Sequence, residues 1–336
     1  MKVDFYFPPA PPVGASAAAR RAVDLGFDGF FTAETAHEPF LPLALASQAA
    51  PSLDLGTAIA VAFPRSPMVT AQVAWDLASL SQGRFTLGLG TQVKAHITRR
   101  FSTDWTSPGP RLRDYVLALR AIWDCFQTGE SLSFESEHYR FSLMTPFFTP
   151  GPIEHPAIPV AIAGVGPYLS RMAGEVCDGF HVHPFHTVKY LDEVVLANMA
   201  QGAAAAGRAL DDVTRISTVF VVTGRDPTEM AAAMTATKQQ IAFYASTPSY
   251  RVVLDTHGWD FGPTLSMMSR RGEWDRMAEV IPDEVVHEVA VVGAPDEIGP
   301  LIRSRYGDRI QRVGFYNLAG DLPVDEEDIA SLIAGI

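Results

Sequence analysis

The chain has 336 residues, 47% of them apolar, with mean hydropathy near zero (+0.09), enough to build one large domain or two ordinary ones. Its formal net charge of −12 excludes a nucleic-acid partner, because backbone phosphates need a basic face, but leaves room for a small anion at a local site. The start MKVDFYFPPAPP has no basic region ahead of an apolar core, and no apolar run approaches a membrane span, so a cytoplasmic protein is expected.

Strand-like and helix-like segments alternate along the chain. Val3 to Phe7 reads as a strand, Ala15 to Leu25 as a helix stopped by Gly26, and Phe27 to Glu34 as a second strand. A helix over Phe40 to Ala50, a strand over Leu53 to Ala62 and a helix over Pro67 to Leu80 follow, with Pro67 suited to the first turn. Gly83 to Gly90 is the fourth strand. Arg111 to Gln127 is a long amphipathic helix with Leu112, Val116, Leu119 and Trp123 on one side. Ser131 to Leu143 alternates and turns, which predicts a hairpin excursion. Strands over Ile158 to Ala163, Asp178 to His183 and Thr214 to Thr223 come next, with helices over Pro167 to Gly174, Thr187 to Ala206 and Pro227 to Tyr244. Ala245 to Val292 shows no clean strand before VAVVG, and Arg312 to Leu318 is the last strand. Eight strands in beta-alpha alternation predict a single (β/α)8 TIM barrel over residues 1–336, with 245–292 as an insertion or lid before the last strand. Cys125 and Cys177 lack C-x-x-C spacing and read as buried thiols.

Barrel chemistry sits at the carboxyl ends of the strands. There, Gly164-Val165-Gly166-Pro167 leaves a strand and opens a helix, with proline where no amide donor is needed. The glycines admit a ligand to the backbone, and the positive helix end favours a phosphate; a tight turn would use the same residues. Alternation turns His181 and His183 to one strand face, toward the barrel interior or its mouth, and Phe180 and Val182 to the other. With His186 the histidines spell H-x-H-x-x-H. No carboxylate or cysteine accompanies them and Pro184 diverts His186, so a ligand-facing His183 and a structural His181 are expected, and no metal. Lys94, His96, Arg99 and Arg100 form a local basic cluster that could hold an acidic tail or simply face solvent. Glu34, at the end of the second strand, and His37, in the loop that follows, are the acid/base candidates, although a carboxylate there could also cap the next helix.

Through LGTAIAVAFPRSPMVTAQVAWDLASLSQGRFTLGLGTQ, PVAIAGVGPYLSRMAGEVCDGFHVHPF and VVGAPDEI, the sequence resembles the luciferase-like superfamily. GTQVKAHITRRF makes it similar to the coenzyme F420-dependent oxidoreductase branch. The resemblance implies a deazaflavin across the strand ends, backed by a non-proline cis peptide mapping to Ala58-Ile59. It places the cofactor phosphate on Gly164, Val165 and Gly166, flanked by Ala163 and Pro167, with Thr91, His96 and His183 as further contacts. It implies hydride exchange with a small organic substrate, in a homodimer. Alternatives are an FMN-dependent monooxygenase of the same barrel family and a binding protein without turnover. Members that oxidise sugar phosphates carry an Asp-His pair after the second strand and a glutamate three residues past the fourth-strand Gly-Thr start. This chain has Glu34-Thr35-Ala36 and Val93 there.

Overall fold

The computed structural model describes residues 1–316 and 326–336. Eight parallel strands close on themselves: β1 Lys2–Phe7, β2 Gly29–Thr32, β3 Asp54–Thr57, β4 Phe85–Gly90, β5 Val160–Gly164, β6 Gly179–Val182, β7 Thr214–Val222 and β8 Arg312–Tyr316. Each pairs with the next in chain order, and β8 returns to β1 in the register Lys2↔Arg312. The expected (β/α)8 barrel is therefore present. The strands read as apolar runs because helices cover their outer face and side chains fill their inner face.

The third strand is shorter than its apolar run. It breaks at Ala58-Ile59, the one non-proline cis peptide among the described residues, and resumes as Ala60–Val61 against β4. The end of the last strand, placed at Leu318 from sequence, lies outside the described residues beyond Tyr316.

Charge closes the amino end of the barrel. Arg312 at the start of β8 donates from Nε to Asp4 on β1 (2.9 Å) and from Nη1 to Asp54 on β3 (2.6 Å), with a further Nη2 bond to Asp4. Lys2 adds a 2.6 Å bond to Asp54. Above this layer Phe31 stacks on Tyr6 and meets the edge of His181, so aromatic rings fill the middle.

Helices Ala15–Asp24, Phe40–Ala49, Pro67–Leu80 and Pro108–Thr128 surround the first half of the barrel. Leu112, Val116, Leu119 and Trp123 are all buried, as their spacing requires. The predicted hairpin is the antiparallel pair Phe134–Glu135 and Arg140–Phe141. Helix Pro227–Ala245, expected after the seventh strand, packs on β7 and also on Gly262–Arg271, Trp274–Val280 and Asp283–Val289, all within the insertion. The insertion ends at the short strand Ala290–Val292, which pairs with the upper part of β7.

Candidate cofactor and substrate site

Neighbouring strands clamp the break in β3. Thr57 Oγ1 donates to Gly88 O (2.6 Å) and accepts from Gly88 N (2.9 Å), while Ala58 N donates to Thr32 O (2.6 Å). A side chain at position 88 could not exist there: its Cβ would lie 1.8 Å from Thr57 O. On the β2 side, Glu34 N donates to Ile59 O (3.0 Å) and the Glu34 carboxylate accepts from Val61 N (2.7 Å). The bulge is thus tied to the chain on both flanks, and Ala58 and Ile59 stay half-buried at the strand ends.

This geometry changes what Glu34 can do. Its Oε2 also accepts from Arg65 Nη1 at 2.7 Å, so one oxygen of a buried carboxylate serves two donors. The residue raised from sequence as an acid or base is held as a structural acceptor. The helix-capping role falls instead to Glu38, whose Oε2 accepts from Phe40 N (2.8 Å) and Leu41 N (2.9 Å). His37 lies exposed in the loop between them.

Arg100 donates to Thr35 O, so the loops after β2 and β4 are joined at the mouth. His96 sits exposed on the short helix Lys94–Arg99, and Thr91 is half-buried with its hydroxyl on Gln92 O (3.1 Å).

The Gly164–Pro167 turn caps the helix Pro167–Val176. Gly166 takes φ 94° and ψ 167°, a backbone state that belongs to glycine, and Pro167 occupies the first turn. A Cβ on Gly166 would meet nothing within 4 Å, so the space above it is open. The Gly166 amide is not free, because it donates to Tyr190 Oη at 3.2 Å. Sequence gave no sign of that partner, 24 residues away on another helix. Ala163, Gly164 and Val165 are half-buried beside the opening. Open space over a glycine at a ten-residue helix start, with a half-buried strand break also at the carboxyl ends of the strands, fits a phosphate-bearing ring system such as a deazaflavin or flavin.

His181 and His183 separate as their positions on the strand suggest. His181 is buried against Phe31, and burial, reinforced by Arg312, pulls its pKa down to about 4. His183 emerges at the mouth. Its Nδ1 accepts from Phe185 N (3.1 Å) and its Nε2 lies 3.0 Å from Tyr250 Oη; burial and the nearby His186 lower its pKa to about 3. His186 turns away, with Nδ1 on His183 O at 2.8 Å and its ring beside Tyr306. Its pKa also falls to about 4, chiefly through burial.

Tyrosines missed as a group from sequence complete the mouth. Tyr244 comes from the last turn of helix Pro227–Ala245, Tyr250 from the insertion and Tyr316 from the end of β8, with Tyr244 Oη 2.6 Å from Tyr316 Oη. The ring of His183 lies 4.6 Å from Tyr244 and 4.4 Å from Tyr250. Desolvation pushes the Tyr250 phenol up to about 12, with Tyr316 adding to the shift. A cavity of about 200 Å³, lined by Arg20, Asp24 and Pro51 among others, lies at the opposite, amino end and is remote from these groups.

A closed parallel barrel with a clamped strand break, an open helix-start turn and an aromatic mouth has the luciferase-like architecture. The luciferase-like monooxygenase family model matches residues 9–312, and the chain belongs to that family. It is 48% identical to an uncharacterized protein of Mycobacterium tuberculosis over 306 residues, 90% of each chain. A putative coenzyme F420-dependent oxidoreductase of the same organism is 28% identical, with 87% of each chain covered. Among solved structures, the coenzyme F420-dependent tetrahydromethanopterin reductase of Methanopyrus kandleri superposes with a TM-score of 0.79, covering 99% of this chain and 96% of that one at 20% identity. No helix among the described residues is long and apolar enough to cross a membrane.

Proposed function

We propose that the protein is an F420-dependent oxidoreductase that exchanges a hydride between the deazaflavin and a small organic substrate, working as a cytoplasmic homodimer. The observation that carries this reading is the pairing of the half-buried Ala58-Ile59 bulge with the open turn at Gly166, on a barrel whose relatives include F420-dependent enzymes. The bound cofactor would supply the redox chemistry. The protein's own part is to hold and orient. Ala58 and Ile59 present a rigid surface to one face of the ring, and Ala163 to Pro167 receive the phosphate through backbone and helix dipole. Because Tyr190 occupies the Gly166 amide, the phosphate contact falls on the neighbouring backbone. Thr91 and His96 border the fourth-strand side, and His183 borders the sixth-strand side under the insertion.

Competition between F420 and FMN, followed by fluorescence quenching of the purified protein, tests the reading. At least about tenfold preference for F420 is expected, a difference of roughly 1.4 kcal/mol. Equal or stronger FMN binding transfers the assignment to an FMN-dependent monooxygenase.

A further inference from the structure

The hydrogen bonds around His183 fix the direction in which its neighbour can give a proton. Phe185 N donates to His183 Nδ1 at 3.1 Å, so Nδ1 is an acceptor and carries no hydrogen. In the neutral imidazole, the state its burial favours, the proton then resides on Nε2, 3.0 Å from Tyr250 Oη. His183 therefore donates to Tyr250, and the phenol's own proton has no acceptor among the described residues. Tyr244 and Tyr316 differ from it, since their hydroxyls are 2.6 Å apart and one must donate to the other.

We propose that Tyr250 is the proton donor to the substrate and that His183 is its positioning residue. The proposal rests on the oxidoreductase reading above and sharpens it: the favoured direction is reduction, and the substrate class is an uncharged carbonyl compound. Tyr250 stands half-buried above the carboxyl end of β6, at the inner edge of the insertion. The rings gathered with it are Phe185, Tyr244, His183 and, through Tyr244, Phe220 and Tyr316. The ring cluster itself is uncharged, since burial keeps His183 neutral and neither lysine nor arginine stacks on any of these rings among the described residues, which suits an uncharged substrate group.

The step balances simply. Two electrons and one hydrogen reach the carbonyl carbon from a reduced deazaflavin, and the C=O π pair moves onto oxygen. The Tyr250 O–H bond then breaks, its electron pair stays on the phenolate, and the proton forms the new O–H bond. His183 Nε2–H supports the phenolate until solvent returns a proton. At neutral pH Tyr250 is protonated, which suits a donor and not a base.

Two measurements test this. The first uses the protein without cofactor, labelled with ¹⁵N at histidine. His183 should show a bare Nδ1 and a protonated Nε2 whose hydrogen exchanges slowly in the wild type and rapidly in Tyr250→Phe. A hydrogen on Nδ1 overturns the proposal, because Tyr250 would then spend its proton on Nε2. The second follows single-turnover reduction of a ketone or enone panel by protein loaded with reduced F420. Tyr250→Phe should lose about 100-fold in rate or more, with F420 affinity changed less than about threefold. Rates within threefold of wild type overturn it as well. A wild-type protein that takes no F420 sinks the cofactor reading alone, because the histidine tautomer is decided without any cofactor.

Discussion

Replacing Glu34 separates a structural acceptor from an acid or base. In Glu34→Ala the Val61 amide, fully buried, loses its 2.7 Å acceptor, and an unsatisfied buried N–H costs about 1–3 kcal/mol. Arg65 keeps only a 3.2 Å bond to Val61 O and a 3.7 Å approach to Glu38. Losing its main partner, with the side chain 19% exposed, adds roughly 1 kcal/mol. The sum is about 2–4 kcal/mol. With an unfolding entropy near 2.1 cal/mol/K per residue, 336 residues give about 0.7 kcal/mol/K, so the melting temperature should fall by roughly 3–6 °C. Glu34→Gln keeps an acceptor for Val61 N and gives up only the charge on Arg65, so it should lose about half as much. Thermal melts at one scan rate, with F420 binding measured alongside, make the comparison. The reasoning is refuted if both variants melt within about 1 °C of wild type while turnover collapses in each. Glu34 would then be acting on the substrate.

Two further outcomes follow from the site. His181, His183 and His186 are neutral when folded, their pKa values lowered to about 4, 3 and 4, while the unfolded chain takes up protons below about 6.5, so their stabilisation is complete above that pH and is lost as pH falls toward 4. At pH 5 each costs about 2 kcal/mol relative to pH 7. Asp4, raised by burial to about 6, is protonated more readily when folded and returns about 1 kcal/mol. Urea unfolding should therefore show a net loss of about 4–5 kcal/mol, and equal stability at the two pH values would contradict the burial of the histidines. Gly166→Ala meets no neighbour but must hold φ 94°, so it should cost about 1–3 kcal/mol in a melt and weaken F420 binding tenfold or more. Undiminished affinity would remove the phosphate from that turn.

The barrel could be read from sequence because each strand is an apolar run of strand length followed by a helix with its own period. Val116 and Phe180 announce their burial by position alone. The phosphate-type turn was legible for a local reason: Gly166 and Pro167 each have a narrow set of backbone states. Tyr250 reaching His183 was not, since 67 residues separate them and nothing local marks which tyrosine of an irregular insertion turns inward. Glu34 shows the opposite limit. Its position at a strand end was right, but a carboxylate that will be spent on Val61 N and Arg65 looks the same in sequence as one waiting for a substrate.

The ion layer at the barrel's amino end also sets an order of events. Asp4 and Arg312 are 308 residues apart, and β1 pairs with β8 in the same place. A chain emerging from the ribosome can build seven strands and their helices, but the sheet stays an open crescent until Arg312 arrives. During that interval β1 carries an unpaired edge, and Asp4 has no guanidinium. Every copy thus passes through a state with sticky margins, and it is the final thirteenth or so of the chain, from Arg312 on, that seals it. A truncation before Arg312 would leave an edge strand rather than a smaller barrel.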